Sequence, residues 1–286
     1  MLKTLLRWYV FFVLPGLVFA TAVLAGSEER ENSHSFKLLI SSKLIISIGE
    51  KKQKLDADAD LLYTWTRVPG ERILIFDALG VAAFKDGKPI MKAFMSRAKL
   101  LNDQEEIPFE QAPEHLKNLL KDTFGVPICK IQIDAGGKET KRRVVAGPGA
   151  KDLVDQGMIA NATFFHTPFL AGHDKWEVQN ELSMGNGGYA KGTLTYEKAK
   201  ADKGEQRFNV TGTLANDYYQ APGQPVAYKE ARYVIRGEQI YDPTKKEWTS
   251  GKLNIDVSFQ MTQMGATPAS AKGTILVQME SVSRKK

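Results

Sequence analysis

Residues 55–65 read LDADADLLYTW, and apolar and polar side chains alternate along almost the whole stretch. Side chains of a β-strand point alternately to opposite faces of its sheet, so the stretch predicts one strand with two different faces. An apolar face on a core and a polar face in water are typical of antiparallel sheets. The apolar face carries Leu55, Ala57, Ala59, Leu61, Tyr63 and Trp65.

The same alternation recurs in both halves of the chain. Residues 38–48 repeat apolar side chains at every second position, interrupted only by Ser42, and residues 208–214 and 253–262 also alternate. Turn sequences such as Asp86-Gly87 separate such runs. Strands of this length and two-faced character predict a large, twisted antiparallel sheet that can curl toward a half-barrel.

One or two short helices are expected to pack on this sheet. Pro113 opens a segment with apolar residues at helical spacing, and Gly125 and Pro127 follow its end. A second, shorter helix is expected from about Gly149, with Leu153, Val154 and Met158 turned inward. The predicted fold class is therefore mainly β, an α+β arrangement in which the sheet dominates.

The first twenty-five residues have the layout of a secretory signal peptide. Lys3 and Arg7 precede an unbroken apolar run, which small residues follow. Cleavage after Ala25 and cleavage after Ala22 both fit. The alternative is an uncleaved anchor, because the run of about eighteen residues reaches the lower limit for spanning a bilayer.

This reading divides the chain into a signal peptide (residues 1–25), a polar connector (26–35) and a single β-rich domain (36–286). It predicts an exported protein of the cell envelope, periplasmic or extracellular. Contact with the membrane is expected only through the signal segment before cleavage.

The net charge indicates which partners to expect, and the cysteine content indicates how the fold is stabilised. The formal net charge is +6, or +4 without Lys3 and Arg7, and the basic residues are spread among acidic ones. A nucleic-acid partner is not expected, because such proteins usually concentrate basic residues in one stripe. Cys129 is the only cysteine, so no intramolecular disulfide can form and stability must come from the core.

No metal site is predicted. Asp56, Asp58 and Asp60 alternate as at the start of an EF-hand loop, but Leu61 and Arg67 stand where that loop needs Gly and Glu. A plain solvent-facing strand is therefore the favoured interpretation.

The histidines do not predict a metal site either. His166, His173 and Asp174 are legitimate zinc ligands, but their spacing matches no compact metal motif, so structural or surface roles are favoured. The common hydrolase and phosphate-binding motifs are missing. Neither a cofactor nor a catalytic residue is predicted.

Turn motifs carry a resemblance to a known family. Residues 172–176 read GHDKW after Pro168, residues 192–196 read GTLTY, and residues 237–242 read GEQIYD. In this order, and with the earlier hairpin around Gly136-Gly137, the chain resembles a bacterial family of exported, β-rich proteins classed as domains of unknown function. The resemblance covers roughly residues 36–282. It implies an envelope protein with a half-barrel-like pattern, and it carries over no catalytic residue.

The leading hypothesis is a non-catalytic binding or scaffolding protein. In its sharper form it carries a lipid or other apolar ligand on a concave sheet face lined by Tyr63, Trp65, Phe259 and Met261. The same four side chains could instead fill a dry core. The alternative function is an exported hydrolase of polysaccharide or peptidoglycan using two distant carboxylates. A third hypothesis is pairing with another envelope protein through an exposed sheet edge.

Overall fold

The computed structural model of the chain describes residues 33–102, 105–134, 139–151, 157–185, 188–199, 204–221, 223–263 and 267–282. The predicted signal peptide lies outside these residues. Within them, no helix combines the length and the apolar character needed to cross a bilayer.

Most of the described chain is β-strand, in agreement with the predicted fold class. The strands are β1 (Ser33–Ile48), β2 (Lys51–Val68), β3 (Glu71–Lys85), β4 (Lys88–Ser96), β5 (Lys99–Asn102), β6 (Glu105–Pro108), β7 (Pro127–Ile133), β8 (Glu139–Val144), β9 (Lys175–Gly185), β10 (Gly188–Lys198), β11 (Gln206–Gln220), β12 (Val226–Asp242), β13 (Glu247–Gln263) and β14 (Ala269–Val282).

The fourteen strands form one sheet in the order β6-β5-β4-β3-β2-β1-β14-β13-β12-β11-β10-β9, and β7 and β8 extend it from β3. All strand pairs in this sheet are antiparallel, and the sheet does not close into a barrel. The pairing of β1 with β14 joins the two ends of the described chain over fourteen residues of continuous register, from Ser35–Val282 to Ile48–Ala269.

The two faces of the sheet differ largely as the alternation predicts, but the polar face of β2 is not wholly solvent-facing, because Asp60 and Thr64 on it are each only 4% exposed. On β2, the apolar set from Leu55 to Trp65 is buried at 5% exposure or less. The aspartates of the same strand lie on the opposite face, where neighbouring side chains neutralise or hydrogen bond them. These contacts are Lys54 with Asp56 (2.9 Å), Ser41 with Asp58 (2.6 Å) and Lys37 with Asp60 (3.0 Å).

Two helices lie wholly within the described residues, and both are short. Helix α1 (Glu114–Thr123) begins after Pro113 and ends before Gly125, as predicted, and it buries Leu120. Residues 148–150 form a 3₁₀ turn and Lys151 is helical, but the predicted continuation of this helix, with Leu153 and Val154, lies outside the described residues. Helix α2 spans Met158–Thr163. Met158 is buried, as predicted.

Residues 158–169, termed the plug segment below, run inside the curve of the sheet. The His166 ring lies 5.5 Å from the Trp65 ring on β2, and the Phe169 ring lies 5.8 Å from the Trp176 ring on β9. In the strand order β2 and β9 are seven steps apart, which is about 34 Å in a flat sheet at about 4.8 Å per step. Three residues of chain reach only about 10 Å. The sheet must therefore wrap around the plug segment.

Glycines at inward positions permit close approach between neighbouring strands. A Cβ atom on Gly237 would collide with the carbonyl oxygen of Lys252 on β13, and one on Gly273 would collide with that of Lys43 on β1. Glycine within a strand often marks such an approach or a bend of the sheet. Backbone atoms cannot turn away as a flexible side chain can, so these positions require glycine.

We expect Gly237→Ala to lower the free energy of unfolding by about 1–3 kcal/mol, because the added methyl group forces the β12 and β13 backbones apart. Urea unfolding followed by tryptophan fluorescence measures this change. Thr211→Ala, on the exposed face of neighbouring β11, is the control and should cost less than about 1 kcal/mol. Equal stability of the two variants would contradict the role assigned to Gly237.

Candidate functional site

A cavity lies between the plug segment and the inner face of the sheet. One wall comes from the adjacent strands β1, β14, β13 and β12, and Asn161 and Phe164 of the plug segment and part of β9 complete the lining. Strand β9 lies at the far end of the strand order, so the curvature of the sheet brings it to this cavity.

The wall is mainly aliphatic because every second residue of each two-faced strand points inward. Its aliphatic members include Leu38, Ile40, Leu44, Ile255, Val257 and Ile275. Three aromatic residues of these strands, Tyr228, Tyr233 and Phe259, complete the wall, and the ring centroids of Tyr228 and Phe259 lie 5.8 Å apart. No described residue in the lining carries a formal charge.

The cavity is partly open to solvent and has a volume of about 60 Å³. One enclosed water needs roughly 10–15 Å³ on this measure, so the space corresponds to about four to six water-sized groups. An apolar cavity of this size retains water poorly, because water needs two to four polar partners. An apolar group can occupy the same space without that requirement.

Three polar residues interrupt the apolar lining: Ser42, Asn161 and Ser183. Ser42 Oγ donates a hydrogen bond to the carbonyl oxygen of Ala57, at 3.3 Å. Asn161 lies on α2, and its Oδ1 is buried without a hydrogen-bond partner among the described residues. A ligand-binding cavity typically combines apolar walls with a few such polar groups.

An irregularity in β9 places Ser183 beside the cavity. The register between β9 and β10 shifts at Gly188, where Ser183 pairs with Tyr189 but Gly185 pairs with Gly188. Strict alternation turns neighbouring residues to opposite faces, yet Ser183 and Met184 both line the cavity. A β-bulge of this kind redirects side chains locally, and single-sequence periodicity does not reveal it.

The other part of the interior is filled with aromatic rings. The Phe169 ring stacks on Tyr241 at 3.9 Å, and the Trp176 ring stacks on Tyr196 at 5.1 Å. Such ring pairs stabilise a core beyond the area that they bury. This part of the interior is therefore packed core rather than binding space.

Side chains of the sheet satisfy the backbone of the plug segment. Trp248 Nε1 donates to the carbonyl oxygen of Thr167 at 2.8 Å, and Gln239 Nε2 donates to that of Phe165 at 3.1 Å. Irregular backbone rarely runs through a core, because its polar groups lose their water partners. These two bonds supply replacements and fix the position of the segment.

His166 of the plug segment is held as a neutral side chain. Its Nε2 lies 2.9 Å from the Tyr63 hydroxyl, and its ring makes an edge contact with Phe36 at 4.8 Å. Burial, with smaller contributions from Arg72 and Arg67, lowers the pKa of His166 to about 3. Among the described residues, no three His, Cys, Asp or Glu side chains are grouped so that they could hold a metal.

Glu247, which precedes Trp248 on β13, carries a buried carboxylate. Glu247 is 5% exposed and lies 3.1 Å from Arg67 Nη2 and 3.0 Å from His34 Nδ1. Burial raises the pKa of Glu247, and Arg67 opposes that rise. Arg67 also donates to the carbonyl oxygens of Lys245 and Lys246. The group holds the turn between β12 and β13 against β2.

The structure separates the four predicted ligand contacts into two groups. Phe259 lines the cavity, and Met261, two residues further along the inner face of β13, is buried at 7% exposure. Tyr63 and Trp65 instead surround His166 and are not among the residues of the cavity lining.

Sequence reasoning did not find Asn161 or Tyr228 as cavity residues. The sequence did single out Ser42, another cavity residue, because it is the polar interruption of an otherwise apolar period in β1. No sequence pattern indicates Asn161, since a lone Asn in a short helical segment is typical of a surface residue. Cys129 is buried as expected, and burial raises the pKa of its thiol to about 11.

Comparison with known proteins leaves the family unidentified. No family model matches the chain, and no curated protein matches it. The mainly β architecture implied by the exported-family resemblance is present, but the family itself is not shown.

Some solved structures show partial similarity. A structure describing lipid–protein interactions in lipovitellin is 11% identical, with a TM-score of 0.47 over 90% of this chain, which spans only 26% of the lipovitellin chain. Pseudomonas aeruginosa OpdQ is 8% identical, with a TM-score of 0.23 over 89% of this chain and 100% of its own. Pseudomonas aeruginosa OccK9 (OpdG) is 12% identical, with a TM-score of 0.23 over 88% of this chain and 99% of its own. With TM-scores below 0.5, none of these likenesses establishes a shared function.

We expect the neutral His166 to make the protein less stable in acid. The unfolded chain binds a proton on this residue below about pH 6.5, whereas the folded protein does so only near pH 3. Neutral His166 therefore makes its full contribution to the free energy of unfolding above pH 6.5. This contribution declines as the pH falls from 6.5 toward 3, by up to about 2 kcal/mol at pH 5.

Urea unfolding of the wild type and His166→Phe at pH 7.5 and 5.0 measures this contribution. The variant should be less stable at pH 7.5, because the Tyr63 hydroxyl loses its partner, but it should lose less stability on acidification. His173→Gln, on an exposed loop residue, should retain the wild-type dependence. The same pH dependence in His166→Phe as in the wild type would refute the assignment.

Proposed function

We propose that the protein is an exported, non-catalytic carrier that binds a small apolar ligand between the plug segment and the curved sheet. The partly open, uncharged cavity carries this proposal. Transfer of apolar surface from water into such a space is favourable by roughly 25 cal/mol for each Å² buried. Phe259 is proposed as a direct contact of the ligand, and Met261 as a neighbouring contact on the same strand face.

The rigidity of the surrounding elements favours binding over collapse of the cavity. The wall strands β12, β13, β14 and β1 are paired with one another along most of their lengths. The plug segment is fixed on the opposite side by its hydrogen bonds to Trp248 and Gln239. A preformed cavity reduces the ordering cost of binding.

The other two hypotheses receive no comparable support from this site. A hydrolase with an acid and a base needs two carboxyl groups converging on one cleft, and no described lining residue carries a carboxyl group. A scaffolding protein would bind its partner through the outer surface or an edge of the sheet. Binding at either place does not require an interior cavity.

We expect the full chain, purified from its exported pool, to bind N-phenyl-1-naphthylamine saturably, with a rise in its fluorescence. Ile275→Trp should weaken this binding by at least about tenfold, because Ile275 lines the cavity and the larger ring occupies it. Native mass spectrometry of the same preparation should also show a co-purified apolar molecule.

Thr274→Trp is the matched control. Thr274 precedes Ile275 on β14 but is exposed on the opposite face of the sheet, so this variant should bind like the wild type. Thermal unfolding of both variants checks that they are folded. Absence of saturable binding to the wild type, or equal loss of binding in both variants, would overturn the carrier proposal.

A further inference from the structure

Three arginines, termed the arginine row below, cross the inner face of the sheet near one of its ends. Arg67 on β2 pairs directly with Arg72 on β3. Ile131 on β7 pairs with Arg72 on one side and with Arg142 on β8 on the other. Residues paired in this way point to the same face of a sheet, and Ile131 belongs to the core. Arg72 and Arg67 also contribute to the lowered pKa of His166 inside the sheet, as expected for inner-face cations.

Two arginines of the row have a carboxylate partner. Arg67 Nη2 lies 3.1 Å from Glu247 Oε2. Arg142 donates two hydrogen bonds of 2.9 Å to Glu139, one to each carboxylate oxygen. Three guanidinium groups therefore share two carboxylates, which leaves one positive charge in excess at Arg72.

Arg72 has donors that are open to an acceptor from solvent. The residue is half-buried, and no hydrogen bond or ion pair joins its side chain to another described residue. Among its three nitrogens, Nε is enclosed without an acceptor, whereas Nη1 and Nη2 are not among the enclosed unpaired atoms of the described chain. These two terminal nitrogens are therefore accessible.

The surroundings of Arg72 disfavour a cation that has no anion beside it. Arg67 stands directly opposite, and like charges at opposed positions destabilise a sheet. Burial, with a smaller contribution from Arg67, lowers the pKa of Arg72, and three nearby groups that favour its charge offset this only in part. A bound anion would remove this imbalance.

We propose that the arginine row is a binding site for an oxyanion, a phosphate or carboxylate group whose oxygens accept hydrogen bonds from Nη1 and Nη2 of Arg72. A guanidinium group binds such anions through two parallel N–H···O bonds, which suit its planar shape. None of the three arginines belongs to the cavity lining. The oxyanion site is therefore separate from the cavity and does not depend on the carrier proposal.

Calorimetric titration of the full chain with inorganic phosphate, at pH 7.5 and constant ionic strength, tests this site. The wild type should bind phosphate saturably, with a Kd of about 10 mM or lower. Arg72→Gln should weaken binding by at least about tenfold, the ratio expected for loss of one hydrogen bond to a charged group. Arg72→Lys keeps the charge without the planar fork and should bind with intermediate affinity. Thermal unfolding without phosphate checks that the variants are folded.

Arg236→Gln is the matched control, because it removes the same charge from another place. Arg236 is exposed on β12 and lies 2.8 Å from Asp256. This variant should bind phosphate like the wild type. An equal loss of binding in Arg236→Gln and Arg72→Gln would mean that net charge alone attracts the anion, and it would overturn the site.

Hexyl phosphate distinguishes the two sources of a phosphate group. Binding that is at least about tenfold tighter than that of inorganic phosphate would identify the head group of an amphiphile, and equal binding would identify a free anion. In both cases Arg72→Gln must weaken the binding. If neither compound binds saturably to the wild type, or if folded Arg72→Gln keeps the full affinity, the oxyanion site is wrong, while the carrier proposal is unaffected.

Discussion

The rest of this structure depends on one constraint, which is that the irregular plug segment lies inside a curved sheet. The plug segment can lie there because Trp248 and Gln239 replace the water that its carbonyl groups lose. Strands at distant positions in the sheet meet the two ends of the segment, so its position also determines how far the sheet curls. A shift of this segment would alter the aromatic core and the cavity together.

The plug segment divides one apolar interior into two environments. On one side the rings of Phe169, Tyr241, Trp176 and their neighbours fill the space at contact distances. On the other side branched aliphatic residues of the strands leave a space that the segment borders but does not fill. Rings also border this space, since Phe164, Tyr228, Tyr233 and Phe259 belong to its lining, but they leave it unfilled. One continuous strand pattern thus supports both a rigid core and a cavity.

The alternating residues predicted the sheet, its two faces and its mainly β class, because side-chain alternation is a local property of a strand. Local signals at Pro113 and Gly125 likewise predicted α1. The plug segment was not predicted as such, since residues 158–169 carry no period and their burial depends on strands far away in the sequence. Periodicity selected Tyr63 as a ligand contact from its position on the inner face, and only the folded chain shows that its hydroxyl lies 2.9 Å from His166 Nε2. It could not indicate Asn161, whose environment exists only after folding.

The open edge of the sheet affects how a guest molecule can enter. Strand β9 lines the cavity and, in the described part of the chain, pairs only with β10. In a closed barrel, widening the interior at any wall would break a row of backbone hydrogen bonds. Here the outer side of β9 contributes no such row, so outward movement of β9 together with β10 leaves the backbone ladder intact. Such movement breaks one long hydrogen bond, from Asn180 Nδ2 on β9 to the carbonyl oxygen of Phe164 (3.4 Å), and otherwise separates van der Waals contacts, which cost little individually.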